Sequence, residues 1–103
     1  MYVVREIMNC KPGMVRPLVE KFKKLNQLGT KYNMPKMRIM TDFCAEQYWT
    51  VVSEMEVANL QAFEDLMQMP NMDGEDAKAF QEVMKDYHEL VDHGRREVYK
   101  IEV

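Results

Sequence analysis

The sequence predicts an α+β domain with the order strand, helix, strand, strand, helix, strand, and three observations carry that prediction. Four segments, residues 2–9, 36–43, 47–57 and 95–103, alternate in the way strand side chains do. Between them lie two stretches whose apolar residues recur at helical spacing. Each strand also carries apolar residues on both of its faces, although a chain this short has helices enough to cover only one.

The elements follow in order. "YVVREIMN", residues 2–9, is β-branched and alternating, and "KPG" at 11–13 stops it. In the helix that follows, Val15, Leu18, Val19, Phe22, Leu25, Gly29 and Tyr32 share one arc, with Lys23 and Lys24 away from its centre. Pro17 falls in the first turn, where a missing N–H is tolerated, and Pro35 ends the element at "YNMP". "KMRIMTDF", residues 36–43, and "QYWTVVSEMEV", residues 47–57, form a hairpin about the short polar turn "CAEQ". Asn59 caps a helix carrying Leu60, Phe63, Leu66 and Met67 up to an interruption at Pro70. Asp73 and Asp76 form a capping arrangement for a further helix from about Gly74, striped by Phe80, Val83, Met84, Tyr87, Leu90 and Val91, with Gly94 at its C-terminal cap. "RREVYKIEV" is the final strand. This is the ferredoxin-like βαββαβ order, in which right-handed crossovers place the helices on one face of a four-stranded antiparallel sheet.

At 103 residues the whole chain, 1–103, is expected to be one domain, which hides roughly 60–70% of the unfolded surface. A hydrophobic share of 47% against 30% charged residues marks a globular rather than a disordered chain. The formal charge of −3 lacks the basic excess of a nucleic-acid binder. No apolar run approaches the roughly 20 residues of a membrane span, and "MYVVREIMNC" has charges where a signal peptide needs an apolar centre, so a cytoplasmic location is expected. Cys10 and Cys44 have no C-x-x-C spacing and are read as reduced thiols, with no metal site and no cofactor motif. Six of the eleven methionines cluster in "MPKMRIM" and "MQMPNM", where such side chains either fill a core or line a plastic apolar pocket.

The two-faced strands bear on partners. Val3, Arg5, Ile7 and Asn9 oppose Tyr2, Val4, Glu6, Met8 and Cys10, and Met37, Ile39, Thr41 and Phe43 oppose Arg38, Met40, Asp42 and Cys44. After helix packing an apolar patch several strands wide is left, and patches of that kind mark interaction surfaces. A second copy of the same sheet is the simplest cover, giving an isologous homodimer through the open sheet face.

With that order in hand, the chain resembles the dimeric α+β barrel superfamily over essentially its whole length. "REIMNCKPGMVRPLVEKFKKL", residues 5–25, is similar to the start of NIPSNAP-type and antibiotic-biosynthesis-monooxygenase-type members. The resemblance implies a ligand pocket between sheet and helices, and a set of activities ranging from cofactor-independent monooxygenation of aromatics to none known. The heme-degrading branch uses an Asn on the first strand, a Trp on the helix after the third strand and a His on the next helix. Asn9 matches, but Leu66 and Met84 stand where that Trp and His would be, so the triad is not reproduced.

The chemical groups that remain have two readings each. His88 and His93, five residues apart, would be separated by about 140° on a helix and could not share a metal. His93 reads as an exposed residue near a helix C-terminus. His88 is either a general base facing a cleft or a boundary residue with one wet nitrogen. With Asn9 it forms the catalytic candidate pair of an oxygenase whose substrate carbanion reacts with oxygen directly in a dry pocket. Trp49 and Tyr87 would stack on a small hydrophobic or aromatic ligand, and Arg5 or Arg38 would hold its carboxylate or enolate. The alternative for both arginines is pairing with Glu6, Asp42 or Glu54. The acidic residues of the last helices read as a solvated face. A non-enzymatic binding or protein-interaction module is the competing reading, to be separated by the size and polarity of the cavity between sheet and helices.

Overall fold

The computed structural model describes residues 1–68 and 74–103; the expected interruption at Pro70 and capping role of Asp73 lie outside them. The elements are β1 (Tyr2–Cys10), α1 (Val15–Thr30), β2 (Arg38–Thr41), β3 (Thr50–Val57), α2 (Leu60–Met67), α3 (Gly74–Met84), α4 (Tyr87–Leu90) and β4 (Val91–Lys100). The strands form one antiparallel sheet in the order β2-β3-β1-β4, so the first strand lies between the third and the last.

Registers of Val4 with Met55 and Val98, and of Arg5 with Glu54 and Glu97, fix which residues share a face. Val4, Met8 and Cys10 of β1 turn toward the helices with Val51, Ser53 and Val57 of β3. The core there is Leu18, Val19 and Phe22 of α1 against Cys10 and Val51, ringed by Met8, Ile39, Tyr87 and Leu90. The α1 stripe is therefore the predicted one. Full burial of a side chain such as Leu18 contributes about 1.5–3 kcal/mol. Asn59 caps α2 as expected, its Oδ1 accepting from the Ala62 N–H at 2.8 Å.

Three boundaries differ from the sequence reading, each for a local reason. The third strand begins at Thr50 rather than 47, and residues 42–49 form an irregular arm instead of a tight hairpin turn. Asp42 closes this arm: its Oδ1 accepts from the Thr50 N–H at 2.8 Å, and the Thr50 hydroxyl donates to the Gln47 carbonyl. Local side-chain bonds thus replace ladder bonds. Trp49 leaves the pleat at φ 59°, and its carbonyl accepts from the Cys10 N–H.

The second strand is Arg38–Thr41 rather than 36–43, because Asn26 takes both backbone groups of Met37. Its Nδ2 donates to the Met37 carbonyl and its Oδ1 accepts from the Met37 N–H, each at 2.8 Å.

The last helix was expected to continue to Val91 but stops at Met84. The Lys21 ammonium donates to the Val83 and Lys85 carbonyls at 2.7 and 2.6 Å, satisfying the end of α3 from a neighbouring helix, and Asp86 turns the chain at φ 65°. His93 and Gly94 consequently lie on β4, not at a helix end. Gly94 pairs with Met8, where an added Cβ would stand 2.9 Å from Met8 Sδ and 3.0 Å from the Ile7 carbonyl oxygen. No helix of the described residues is long and apolar enough to cross a membrane.

Candidate functional site

Between α1, α2, α3 and the sheet lies a cavity of about 160 Å³. Its construction begins in α1, where Leu25, Leu28 and Gly29 continue the buried stripe past Phe22. Gly29 leaves room for the returning chain: Met34 N–H donates to the Gly29 carbonyl at 3.1 Å after Asn33 turns at φ 54°, and a Cβ at 29 would already touch Met34. The Asn26–Met37 pair then fixes the loop against the helix. Met55 of β3 supplies a wall, and Leu66, Met67 and Phe80 of α2 and α3 supply the opposite one.

Among the described residues Asn26 is the one polar side chain in this wall, and its amide is engaged on both sides by Met37. The space therefore suits an apolar guest; an engineered apolar cavity of about 150 Å³ admits benzene. Met34, Met37, Met55 and Met67 give it a soft, adaptable lining. Of the six clustered methionines, Met34, Met37 and Met67 line a pocket and Met40 faces the other side of the sheet, while Met69 and Met72 lie outside the described residues. The sequence signal was Gly29, a residue without a side chain inside an otherwise filled stripe.

The candidate residues named from the sequence are divided between the two faces. Arg5, Asn9 and Arg38 are on the open face. Both arginines are engaged by Glu54, Arg5 Nε donating at 2.7 Å and Arg38 through a terminal N–H, so the ion-pairing reading describes them. Together the two guanidinium groups, Arg38 foremost, hold the Glu54 carboxyl below its ordinary range. Asn9 is buried, with its side-chain oxygen 3.3 Å from the Thr50 hydroxyl. The arm 42–49 roofs this part of the sheet over a second cavity of about 460 Å³ lined by Arg5, Ile7, Asn9, Met40, Val52 and Arg95.

Tyr87 and His88 are together on α4 with ring centroids 5.2 Å apart, at the helix side of the sheet, so Asn9 and His88 do not face one common space. Trp49 is 44% exposed and lines neither of the two cavities described above. Cys10 is buried and Cys44 exposed, both free; burial, then the charge of Asp42, raises the Cys10 thiol. Among the described residues no cluster of His, Cys, Asp and Glu is arranged to hold a metal.

This arrangement is similar to that of known structures. An uncharacterized NIPSNAP domain protein from Burkholderia xenovorans superposes with TM-score 0.75 at 12% identity, covering 98% of this chain and 94% of that one. A NIPSNAP family protein from Agrobacterium tumefaciens gives 0.71 at 10% identity, over 96% and 90%. A protein described as an antibiotic biosynthesis monooxygenase gives 0.67 at 12%, over 98% of both chains. The chain has a ferredoxin-like fold, a four-stranded antiparallel sheet with its helices on one face. No family model matches the sequence, and no curated protein matches it. At these identities the likeness to the barrel proteins is one of backbone architecture, and the chemistry of the site must be read from its own residues.

Proposed function

We propose that this protein is a homodimer in which each subunit binds a small apolar molecule in the methionine-lined cavity between sheet and helices. The observation that carries the binding role is the wall itself: among the described residues, four methionines, Leu25, Leu66 and Phe80 surround one amide, which Met37 engages on both sides. Among the described residues no free proton donor or acceptor lines the cavity, so it selects by size and apolarity, and binding is favoured over oxygenation. An oxygenase role for His88 and Asn9 would need the two to act at separate places.

The test is a titration of benzene into protein labelled at the methionine methyl groups. Saturable shifts at Met34, Met37, Met55 and Met67, lost when Gly29→Leu fills the space, are the expected result. Shifts absent at all four would end the reading.

The dimer is supported by the shape of the chain, which is 18 Å thin against 38 and 35 Å, with helices on one side only. The open face carries Val3, Ile7, Met40 and Val52 among its ion pairs, and Tyr99 is half exposed. Sedimentation at micromolar concentration should give a dimer, and Val52→Arg should give a monomer. A wild-type monomer would remove this part of the proposal.

A further inference from the structure

On the helix side, at the end of the sheet away from the methionine cavity, α4 and the β1–β4 ladder enclose a groove of about 390 Å³. Its lining includes Glu6 and Met8 from β1, Tyr87 and His88 from α4, and Gly94 and Arg96 from β4, with Asp92, His93 and Arg95 beside them. The Tyr87 hydroxyl donates to Met8 Sδ at 2.9 Å. A thioether is among the weakest acceptors a protein offers, so this half-buried donor is held in place without being well satisfied.

Its setting is constrained on every side. Met8 Sδ is fixed between the hydroxyl and Gly94, the residue type that leaves the thioether room. The His88 ring meets Tyr87 edge-on. Asp86, in the left-handed conformation, and the register shift between Asn9 and Cys10 both occur beside this groove, and irregularities of these kinds gather where a side chain is being aimed. The charges on the floor of the groove are matched, Arg96 donating to Glu6, while Asp92 and the His93 ring are exposed at its rim, 3.2 Å apart. Burial, then Glu6 and Cys10, raises the Tyr87 hydroxyl, so it keeps its proton.

We propose that this groove is a second binding site, for a small neutral carbonyl compound whose oxygen replaces Met8 as acceptor of the Tyr87 hydroxyl. A neutral ligand follows from the matched charges, and a carbonyl from the donor. The exchange trades a weak acceptor for a strong one while Met8 remains as a soft apolar wall.

Cyclohexanone titrated into methyl-labelled protein should shift the Met8 methyl saturably, and cyclohexane, which has the shape but no acceptor, should not. Tyr87→Phe should weaken cyclohexanone binding about fivefold, the worth of one net hydrogen bond. Met8→Leu, read through labelled tyrosine rings, should bind more tightly because the internal acceptor is gone. A Met8 methyl that does not respond, equal binding of cyclohexane, or unchanged affinity in both variants overturns the proposal. Benzene shifts at Met34 and Met55 report separately on the methionine cavity, so failure of one site does not imply failure of the other.

Discussion

The two faces of the sheet are built from the same strands but held together by different forces. On β3, Val51, Ser53 and Val57 are buried against the helices, while Thr50, Val52, Glu54 and Glu56 look the other way. The helix-covered face is stabilised by close packing of Leu18, Phe22 and Val51 and keeps one methionine-lined space. The open face is stabilised by ions: Arg5 and Arg38 on Glu54, and Arg95 with Tyr99 on Glu97. Packing energy falls steeply when volume is lost, whereas partly exposed ion pairs are screened and adjustable. The first face fixes the fold of the chain, and the second is the one the proposed dimer would use.

That contrast can be broken most directly at Leu18, which is fully buried. Leu18→Ala should cost about 3 kcal/mol in chemical denaturation, through lost transfer energy and the void left behind. Glu54→Gln should cost only about 1 kcal/mol, since Arg5 and Arg38 keep water contact. An equal loss at both positions would show that the open face is part of the core.

Glu54 also sets a pH signature. Its carboxyl is held below the ordinary carboxylate range by Arg38 and Arg5, so its contribution is fully present above that range and is lost as pH falls through the lowered folded value. Comparing acid unfolding of the wild type and Glu54→Gln should show the two stability curves converging at the acid end. A constant difference across that window would contradict the ion-pair account. The smallest effect is expected at Asp86, exposed at φ 65° with no side-chain cap bond. Asp86→Gly should stabilise by about 0.5–1 kcal/mol, measured by thermal unfolding, by relieving the left-handed strain.

Much of the architecture was legible because it depends on periodicity. The stripe Leu18, Val19, Phe22 and the alternation of residues 2–9 needed only sequence order, and the Asn59 cap only a residue type in the right place. The arm 42–49 was not legible, because it depends on Asp42 meeting Thr50 across eight positions. The end of α3 depends on Lys21, 62 residues from Val83, and no local pattern announces such a cap. The candidate site divides in the same way. Methionine clustering left core filling and a pocket both open, and Gly29 read only as part of the α1 stripe; alternation alone did not say that Glu54 would engage both Arg5 and Arg38, or that Asn9 and His88 would be separated by the sheet.

The central position of β1 has a consequence for the time course of folding. β1 pairs with β4, Tyr2 opposite Lys100, so one of its edges has no neighbour in this sheet until residues 91–100 have been added. A nascent chain holding residues 1–90 has the α1 stripe, the β1–β3 ladder and the Lys21 clamp available, but it leaves one backbone edge of β1 exposed. Sheet closure must then be a late and long-range event, slow by comparison with helix docking. During that interval the bare β1 edge is the place where another unfinished chain would pair.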